Sequence, residues 1–324
     1  MTQVFPPLVD LHQDLLLHIN RRDLYPDHWQ TDFDMLVRTN TKVVLATAFP
    51  VPENEEYLNP ITNRMIEEDF RTYNSYCKTS THHSIIRTSD DLRLALKKDA
   101  STGIILHIEG LNAMTDGDWD ICERWFDLGW RSLGIVWNVT NSLGGGTKDP
   151  STGLTDLGAK LITWCEKKGM IVDFAHMNAP TFAQAAKIVN RPLLVSHGNA
   201  CALCENPRNY SDEQLRLIAQ TNGVIGVFFA RTYVTGTSVA EISDVANHID
   251  HLVRVMGIDH VALGTDFGGI ITGHVSQLDS LETLPLFWQE LEKRGYTSDQ
   301  IEKISWKNAA RVLECHLTPV SSLG

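Results

Sequence analysis

The chain has 324 residues, of which 43% are hydrophobic and 21% are charged. This composition is typical of a globular protein and excludes a disordered, collagen-like or coiled-coil architecture. The formal charge of −12, from 40 acidic and 28 basic residues, argues against nucleic acid as a partner because a negative surface repels phosphate. Six cysteines are too sparse for a disulfide scaffold, and no apolar run approaches the ~20 residues that span a bilayer. The first residues also lack the features of a signal peptide, so we expect a cytoplasmic protein with no membrane partner.

Short apolar runs alternate with longer helix-like stretches along the chain. The apolar runs predict eight strands, near residue 10 and at 43–50, 103–109, 132–138, 170–176, 192–197, 223–229 and 260–266. The other stretches predict helices at 62–78, 118–128, 155–168, 180–189, 211–221, 240–256 and 283–315. Thr155 and Ser211 stand where an N-cap hydroxyl would satisfy free amide groups, and Gly169 stands where a helix would end.

This alternation predicts an α/β protein with parallel strands. Eight such units match a (β/α)8 TIM barrel, and we expect one domain over residues 1–324. The rival fold is an open doubly wound sheet. It is disfavoured because no Gly-x-Gly-x-x-Gly fingerprint follows the first strand, and the three glycines at 144–146 lack a lysine at Walker spacing.

Ionisable residues fall at the carboxyl ends of five predicted strands. They are His12, Asp14, Glu109, His176, His197 and Asp266. Taken singly, such a histidine is more often a hydrogen-bonded structural residue, and such an acid is often the N-cap of the next helix. Gathered at one rim of a barrel, three histidines and three carboxylates would be costly to bury without a neutralising cation. The set therefore predicts a divalent metal site at the C-terminal ends of the strands.

The spacing of these residues suggests how ions would be shared. Side chains alternate along a strand, so His12 and Asp14 point to the same side and can bind one ion together. His176 and His197, from neighbouring strands, could supply a second ion, and Glu109 could bridge both. Imidazole and carboxylate ligands suit zinc or a similar first-row ion. Two such ions can share a hydroxide and polarise a carbonyl.

Five motifs occur in order along most of the chain: VDLHQD, HIEG, GLTDLGAKLITWCEKKGMIVDFAHMN, LLVSHGNACALCENPRN and ALGTDFGG. Together they resemble the membrane dipeptidase (renal dipeptidase) family, peptidase family M19 of the amidohydrolase superfamily. The resemblance implies a (β/α)8 barrel with a binuclear zinc site held by His12, Asp14, Glu109, His176 and His197. It also implies that Asp266 lies beside the bridging water and acts with Glu109 in catalysis, and that Arg208 contacts the carboxylate of a dipeptide.

The sequence departs from the family pattern at two positions. Trp137 stands where the mammalian members have a histidine that supports the tetrahedral intermediate, and Asn138 or Asn141 could supply a donor instead. Gly268 replaces the second acid of the segment after the eighth predicted strand. We predict a zinc-dependent dipeptidase with two zinc ions per chain, and the prediction allows for a homodimer. The expected substrate contacts are Arg208, Asp266, Trp137 and Asn138.

Two other functions stay open at this point. The changes at Trp137 and Gly268 are compatible with a hydrolase of the same superfamily that acts on N-acyl amino acids or lactones. A metal-stabilised binding protein without activity is the third hypothesis, but a structural zinc site would be closed and would not need a base such as Asp266.

Other cysteines and histidines are expected to lie outside the site. Cys201 and Cys204 have redox spacing without a redox-fold context, so we expect two thiols. His83 is expected in a solvated turn, and His248 and His251 on the surface of a helix.

Overall fold

The computed structural model of the chain describes residues 5–20, 29–49, 63–97, 99–111, 114–271 and 273–317. The strands of these residues are β1 Leu8–Gln13, β2 Thr41–Ala48, β3 His83–Ile85, β4 Thr102–Glu109, β5 Trp130–Gly134, β6 Ile171–Asp173, β7 Leu194–Val195, β8 Val224–Val227 and β9 Val261–Leu263. The α-helices are α1 Leu15–Asn20, α2 Phe33–Arg38, α3 Asn63–Thr79, α4 Ser89–Ala95, α5 Trp119–Leu128, α6 Asp156–Lys168, α7 Ala179–Ala185, α8 Asp212–Gln220, α9 Arg231–Val234, α10 Ile242–Met256, α11 Leu284–Lys293, α12 Ser298–Glu302 and α13 Asn308–Leu317.

Eight of these strands close into a parallel barrel with helices between them. Hydrogen bonds join β1, β2, β4, β5, β6, β7, β8 and β9 in that order, and β9 returns to β1 through the pair Asp10 and Leu263. The (β/α)8 prediction is therefore confirmed, and each of the eight predicted strands corresponds to one strand of the barrel. Two residues of the predicted elements, at positions 50 and 62, lie outside the described residues.

The strand β3 is not predicted from the sequence because it has only three residues and begins in the polar segment STHHS. It pairs with β4 from Thr102 to Ile104, and β5 continues along the same edge from Leu106. The expectation of a solvated turn at His83 is wrong, because His83 is buried and its Nε2 lies 2.8 Å from the carbonyl oxygen of Phe33.

Helix ends follow the capping rules at the positions expected from the sequence. The hydroxyl of Thr155 accepts the backbone N–H of Gly158 at 3.1 Å, and Ser211 forms a reciprocal capping box with Gln214. Gly169 ends α6 in the left-handed conformation, with φ 73°. These caps fix where the helices that follow β5 and β7 begin.

The long helix predicted over 283–315 is wrong, because the chain forms three helices there. Gly295 follows α11 with φ 90°, a left-handed conformation that stops a helix. Thr297 then caps α12 by accepting the N–H of Gln300. The π-helical segment Lys303–Lys307 joins α12 to α13. The apolar spacing of the stretch continues across the break and conceals it in the sequence.

The interior of the barrel changes from apolar to polar along the strands. At the N-terminal end, inward-facing strand residues pack with α13, including Val312 and Leu313, and fill the bottom of the barrel. Two residues further along three of the strands, the interior side chains are polar. The pairs are Ile105 and His107 on β4, Ile171 and Asp173 on β6, and Leu194 and Ser196 on and just after β7. This polar layer lies directly below the opening of the barrel at the C-terminal ends of the strands.

The expectation of surface positions for His248 and His251 is also wrong. His248 is buried, with its Nδ1 accepting the N–H of Ala200 and its Nε2 2.9 Å from the carbonyl of Val234. His251 is buried 2.7 Å from Asp212. Helix α10 thus packs His248 against Ala200 and the end of α9, and His251 against the start of α8. All six cysteines are free thiols, in agreement with the expectation for Cys201 and Cys204. Among the described helices, none has the length and apolar character needed to cross a membrane.

Candidate metal centre

The ionisable residues singled out in the sequence meet at the C-terminal ends of the barrel strands. His12 lies in β1 and Asp14 follows it, and Glu109 is the last residue of β4. His176, His197 and Asp266 follow β6, β7 and β9 by two or three residues. Parallel strands present these ends at one face, which is the face that carries active sites in barrels of this type.

Two groups of ligand atoms share the carboxylate of Glu109. In the first group, His12 Nε2 lies 3.6 Å from Asp14 Oδ2 and 3.7 Å from Glu109 Oε1. In the second group, Glu109 Oε1 lies 2.8 Å from His176 Nε2 and 3.7 Å from His197 Nε2. Within each group, all ligand atoms lie within 4.8 Å of one another. One carboxylate oxygen is thus within reach of both groups.

The residues present fit a pair of divalent cations. His12 Nε2 and Asp14 Oδ1 are buried and have no hydrogen-bond partner in the part of the chain that the structure describes. An unpaired buried imidazole and carboxylate are costly unless a cation binds them. The two groups offer imidazole nitrogens and carboxylate oxygens, the ligand set that zinc and similar ions prefer.

The electrostatics of the cluster favour added positive charge. Burial lowers the pKa of His12, but the carboxylates around it, Glu109 first, outweigh this effect and hold that pKa at about 10. Burial raises the pKa of Glu109 to about 8 and that of Asp266 to about 7, because an ionised carboxylate is poorly solvated there. Burial and the cation of Arg208 lower the pKa values of His176 and His197, which keeps these imidazoles neutral. A neutral imidazole is the form that binds a metal ion.

Local backbone geometry aims two of these side chains at the mouth. His176 and Asp266 have φ angles of 64° and 61°, a left-handed conformation that is uncommon outside glycine. The N–H of Asp266 also donates to the carbonyl of His12 at 3.1 Å, which ties the end of β9 to the end of β1.

Gly269 leaves the space in which two carboxylates approach each other. A Cβ atom at this position would lie 2.3 Å from Asp14 Oδ2 and 2.5 Å from Asp266 Oδ1. Any larger residue would therefore displace one or both carboxylates. The sequence alone gives no sign of this role, because the glycine contributes only the absence of a side chain.

A cavity of about 440 Å³ opens over the cluster. Eight of the nine predicted site residues border it: Asp14, Glu109, Trp137, Asn138, His176, His197, Arg208 and Asp266. The ninth, His12, is fully buried beside them. The volume is within the range of small-molecule sites.

Comparison with known proteins identifies the family. The profile of the membrane dipeptidase family, peptidase family M19, matches residues 2–318. The chain belongs to this family. It is therefore an enzyme, a hydrolase of the metallo-dipeptidase type.

Two curated proteins are similar to much of the chain. The chain is 35% identical over 229 residues to an uncharacterized protein in the pqqA 5′ region of Klebsiella pneumoniae, covering 67% of this chain and 83% of that protein. It is 30% identical over 245 residues to an uncharacterized dipeptidase of Schizosaccharomyces pombe, covering 73% of this chain and 58% of that protein.

Two solved structures share the barrel fold. A metallo peptidase from Rhodobacter sphaeroides, liganded with a phosphinate mimic of the dipeptide L-Ala-D-Ala, has a TM-score of 0.86 and 24% identity over 97% of this chain and 100% of that one. A dipeptidase of metallopeptidase family M19 has a TM-score of 0.84 and 23% identity over 97% of this chain and 99% of that one. Both extend the likeness to nearly the whole barrel.

Arg208, which the dipeptidase resemblance assigns to a substrate carboxylate, is a buried cation at the cavity. Its Nη2 donates to the carbonyl of His197 at 3.2 Å, and its guanidinium lies 5.4 Å from the centroid of the Phe228 ring. Its Nη1 is buried and finds no hydrogen-bond partner among the residues described. An anionic ligand in the cavity would satisfy this donor.

Trp137 and Asn138 both contact His176. The Trp137 ring lies 5.6 Å from the His176 ring, with 30° between their planes. Asn138 Oδ1 lies 2.8 Å from His176 Nδ1, so it accepts a hydrogen from that nitrogen and leaves Nε2 free for a ligand role. The predicted contact of Asn138 with substrate stays a prediction. Its contact with His176 is a function that the sequence did not indicate.

The apolar walls of the cavity were also missed by reasoning from the sequence. Phe49, Phe228 and Ile270 line it from the loops after β2, β8 and β9, and Tyr233 lines it from α9. No motif distinguishes them, and the only usable signal is that they follow barrel strands closely.

Proposed function

We propose that this protein is a zinc-dependent dipeptidase with two zinc ions per chain. His12 and Asp14 would hold one ion, His176 and His197 the other, and Glu109 would bridge them. The observation that carries the proposal is the position of Glu109 Oε1, which lies within 3.7 Å of His12 Nε2 and 3.7 Å of His197 Nε2. A single carboxylate in contact with both ligand groups is the arrangement that a shared pair of cations requires.

These residues would hold two divalent cations, whose chemistry would be to supply a hydroxide nucleophile near neutral pH and to polarise the scissile carbonyl. Asp266 accepts the proton of the nucleophile and passes it to the leaving amine. Its carboxylate lies 3.8 Å from His12 Nε2, at the edge of the ligand cluster, where it can take and give a proton. Glu109 orients the ligand cluster in which this exchange takes place.

Arg208 sets the substrate class. Its unpartnered Nη1 would bind the C-terminal carboxylate of the substrate with a charge-assisted hydrogen bond. Because Arg208 and Glu109 border the same cavity, only a short substrate has its carboxylate at the arginine and its scissile carbonyl at the cluster. Dipeptides meet this condition.

The role of Arg208 is tested by Arg208→Met with two substrates. We expect KM for a dipeptide to rise by roughly 10-fold or more, because a charge-assisted hydrogen bond in a buried site is lost. The matched dipeptide amide lacks the carboxylate and should be hydrolysed by both proteins with similar KM. Equal KM values for the dipeptide in the variant and the native protein would contradict the binding of the substrate carboxylate by Arg208.

A hydrolase of N-acyl amino acids or lactones is the second candidate, and Gly268 favours it. This residue has φ 92°, and a Cβ atom there would lie 2.5 Å from the carbonyl oxygen of Asp14. The backbone at this position therefore has no room for the acid that the family pattern places there. The absence of this acid is compatible with a substrate that lacks the free α-amino group of a dipeptide, as N-acyl amino acids do.

The experiment that separates the two candidates is metal analysis coupled to a substrate panel. The panel contains dipeptides with L- or D-residues at the C-terminus, N-acyl amino acids and lactones. The proposal predicts about two zinc ions per chain in active protein and turnover of dipeptides. Fewer than one metal ion per chain in fully active protein would overturn the two-ion arrangement, and turnover of lactones alone would favour the second candidate. The homodimer, the cytoplasmic location and the single domain over residues 1–324 stay predictions.

A further inference from the structure

A chain of buried hydrogen bonds runs from His197 into the barrel, away from the cavity. His197 Nδ1 lies 2.8 Å from Ser196 Oγ, and Ser196 Oγ donates to Asp173 Oδ2 at 2.5 Å. Ser196 and Asp173 are at most 1% exposed, and neither borders the cavity. These two residues belong to neither ligand group that shares Glu109.

With Asp173 ionised, the hydrogen positions in this chain have one consistent arrangement. Asp173 is held as an acceptor, because its Oδ1 receives the backbone N–H groups of Ala175 at 3.0 Å and Ser196 at 2.8 Å. The Ser196 hydroxyl gives its hydrogen to Oδ2 of the same carboxylate and can only accept from His197. The proton of the neutral imidazole must then be on Nδ1, and Nε2 presents its lone pair toward Glu109.

A second serine and histidine pair in the same layer provides an internal comparison. Ser132 Oγ lies 2.8 Å from Nδ1 of His107, the same contact length as that between Ser196 and His197. Both serines are fully buried. His107, however, does not belong to either group of ligand atoms around Glu109. The two pairs are alike in burial and contact but differ at the second ring nitrogen. His197 Nε2 lies 3.7 Å from Glu109 Oε1, whereas His107 Nε2 lies 3.6 Å from Asp173 Oδ2, in a group with His12.

We propose that Ser196 and Asp173 are positioning residues that hold His197 in the tautomer and orientation needed to bind the second cation. The negative charge of Asp173 reaches the imidazole through the hydroxyl and strengthens its Nε2 as a ligand. The inference rests on the proposed function, because it assumes that His197 binds a metal ion. The inference adds that the affinity of the site for the cation at His197 depends on the carboxylate of Asp173, which does not touch the cation.

The test compares Ser196→Ala with Ser132→Ala in the full-length protein. The metal content after dialysis and the zinc affinity against a competing chelator are measured for both. Loss of a hydrogen-bond partner of a ligand histidine typically weakens metal affinity by ~10–100-fold. We expect Ser196→Ala to lose one of two zinc ions in this way and Ser132→Ala to retain both. Ser196→Thr, which keeps the hydroxyl, should restore the affinity.

A second readout does not depend on metal. Histidine side-chain 15N–1H spectra of metal-free protein should show His197 with its proton on Nδ1 in the native protein and in Ser132→Ala. In Ser196→Ala this preference should be lost. If Ser196→Ala does not fold, Asp173→Asn replaces it and should show the same loss, because an amide can donate to the hydroxyl and reverse the hydrogen-bond direction.

The outcomes separate this inference from the proposed function. Native zinc affinity in Ser196→Ala, or an equal loss in Ser132→Ala, overturns the positioning role while leaving the dipeptidase proposal intact. Native protein that binds no zinc overturns the proposed function. In that case the tautomer measurement still decides whether the hydrogen-bond chain orients His197.

Discussion

Asp266 occupies a left-handed backbone conformation with its carboxylate at the edge of the ligand cluster. Holding a non-glycine residue there costs of order 1–3 kcal/mol, and such strain collects at functional sites. Burial also raises the pKa of its carboxyl in the metal-free cluster, and such perturbed groups collect at functional sites. Backbone and electrostatics thus point to the same role.

The substitution Asp266→Asn tests that role. The amide has the same shape but cannot accept the proton, so we expect turnover to fall by ~10²-fold or more with metal content unchanged. The measurement is kcat together with metal content for the same preparation. Full activity in the variant would remove Asp266 from the mechanism, and loss of metal would make it a ligand instead.

The space at Gly269 is a second feature of the residue scale. In Gly269→Ala the new methyl group would meet Asp14 Oδ2 at 2.3 Å, so the carboxylates must move. We expect weaker zinc binding and at least 10-fold lower turnover, because small displacements in a site have large effects. Gly117→Ala is the matched control, since its nearest neighbour lies at 3.8 Å. Equal metal affinity in both variants would contradict this account of the glycine.

At the scale of elements, a histidine buried in α13 makes the stability of the folded protein depend on pH. His316 in α13 is fully enclosed, with Nε2 2.8 Å from the carbonyl of Pro192, and burial lowers its pKa to about 4 from an ordinary value of 6.5. The folded protein keeps this histidine neutral, while the unfolded chain takes up a proton below pH 6.5. The contribution to stability is therefore complete above pH 6.5 and is lost as the pH falls toward 4.

The substitution His316→Gln should reduce this acid sensitivity. Between pH 7.5 and 5, we expect the free energy of unfolding to fall by about 1–2 kcal/mol less in the variant than in the native protein. Urea unfolding at both pH values, with a chelator present to remove metal effects, measures the difference. His82→Gln, at an exposed position, is the control. Parallel pH dependences of the native protein and His316→Gln would rule out this histidine as a source.

The elements that the sequence predicts well are those with local signals. The apolar strands and the caps at Thr155 and Ser211 are confirmed because alternation and capping act within a few residues. The break near Gly295 is missed although its glycine and the cap at Thr297 are local signals, because the apolar spacing continues across it. The short strand β3 is missed because it depends on its pairing with β4. At the site, the candidate ligand residues could be identified from strand ends, whereas the role proposed for Ser196 depends on β6 and β7 lying side by side.

At the scale of the whole molecule, the buried charge at the barrel mouth couples metal binding to stability. Cations that bind only the folded protein stabilise it, by ~2.7 kcal/mol when the free ion is at 100 times its Kd. We therefore expect chelation to abolish activity and lower Tm, and zinc to restore both. The measurement is a thermal melt and an activity assay on the same samples. A Tm that does not respond to zinc would contradict a metal centre built into the fold.

The packing of α13 against the N-terminal end of the barrel determines where substrate enters and where products leave. Val312 and Leu313 fill that end, so compounds exchange through the opposite opening, past Arg208 and Tyr233. If the proposed site is correct, both product amino acids must leave through the opening by which the dipeptide entered. The C-terminal amino acid, whose carboxylate binds Arg208 in the intact substrate, is still bound to the arginine after cleavage. It should leave last, and the free amino acid should compete with incoming substrate as a product inhibitor.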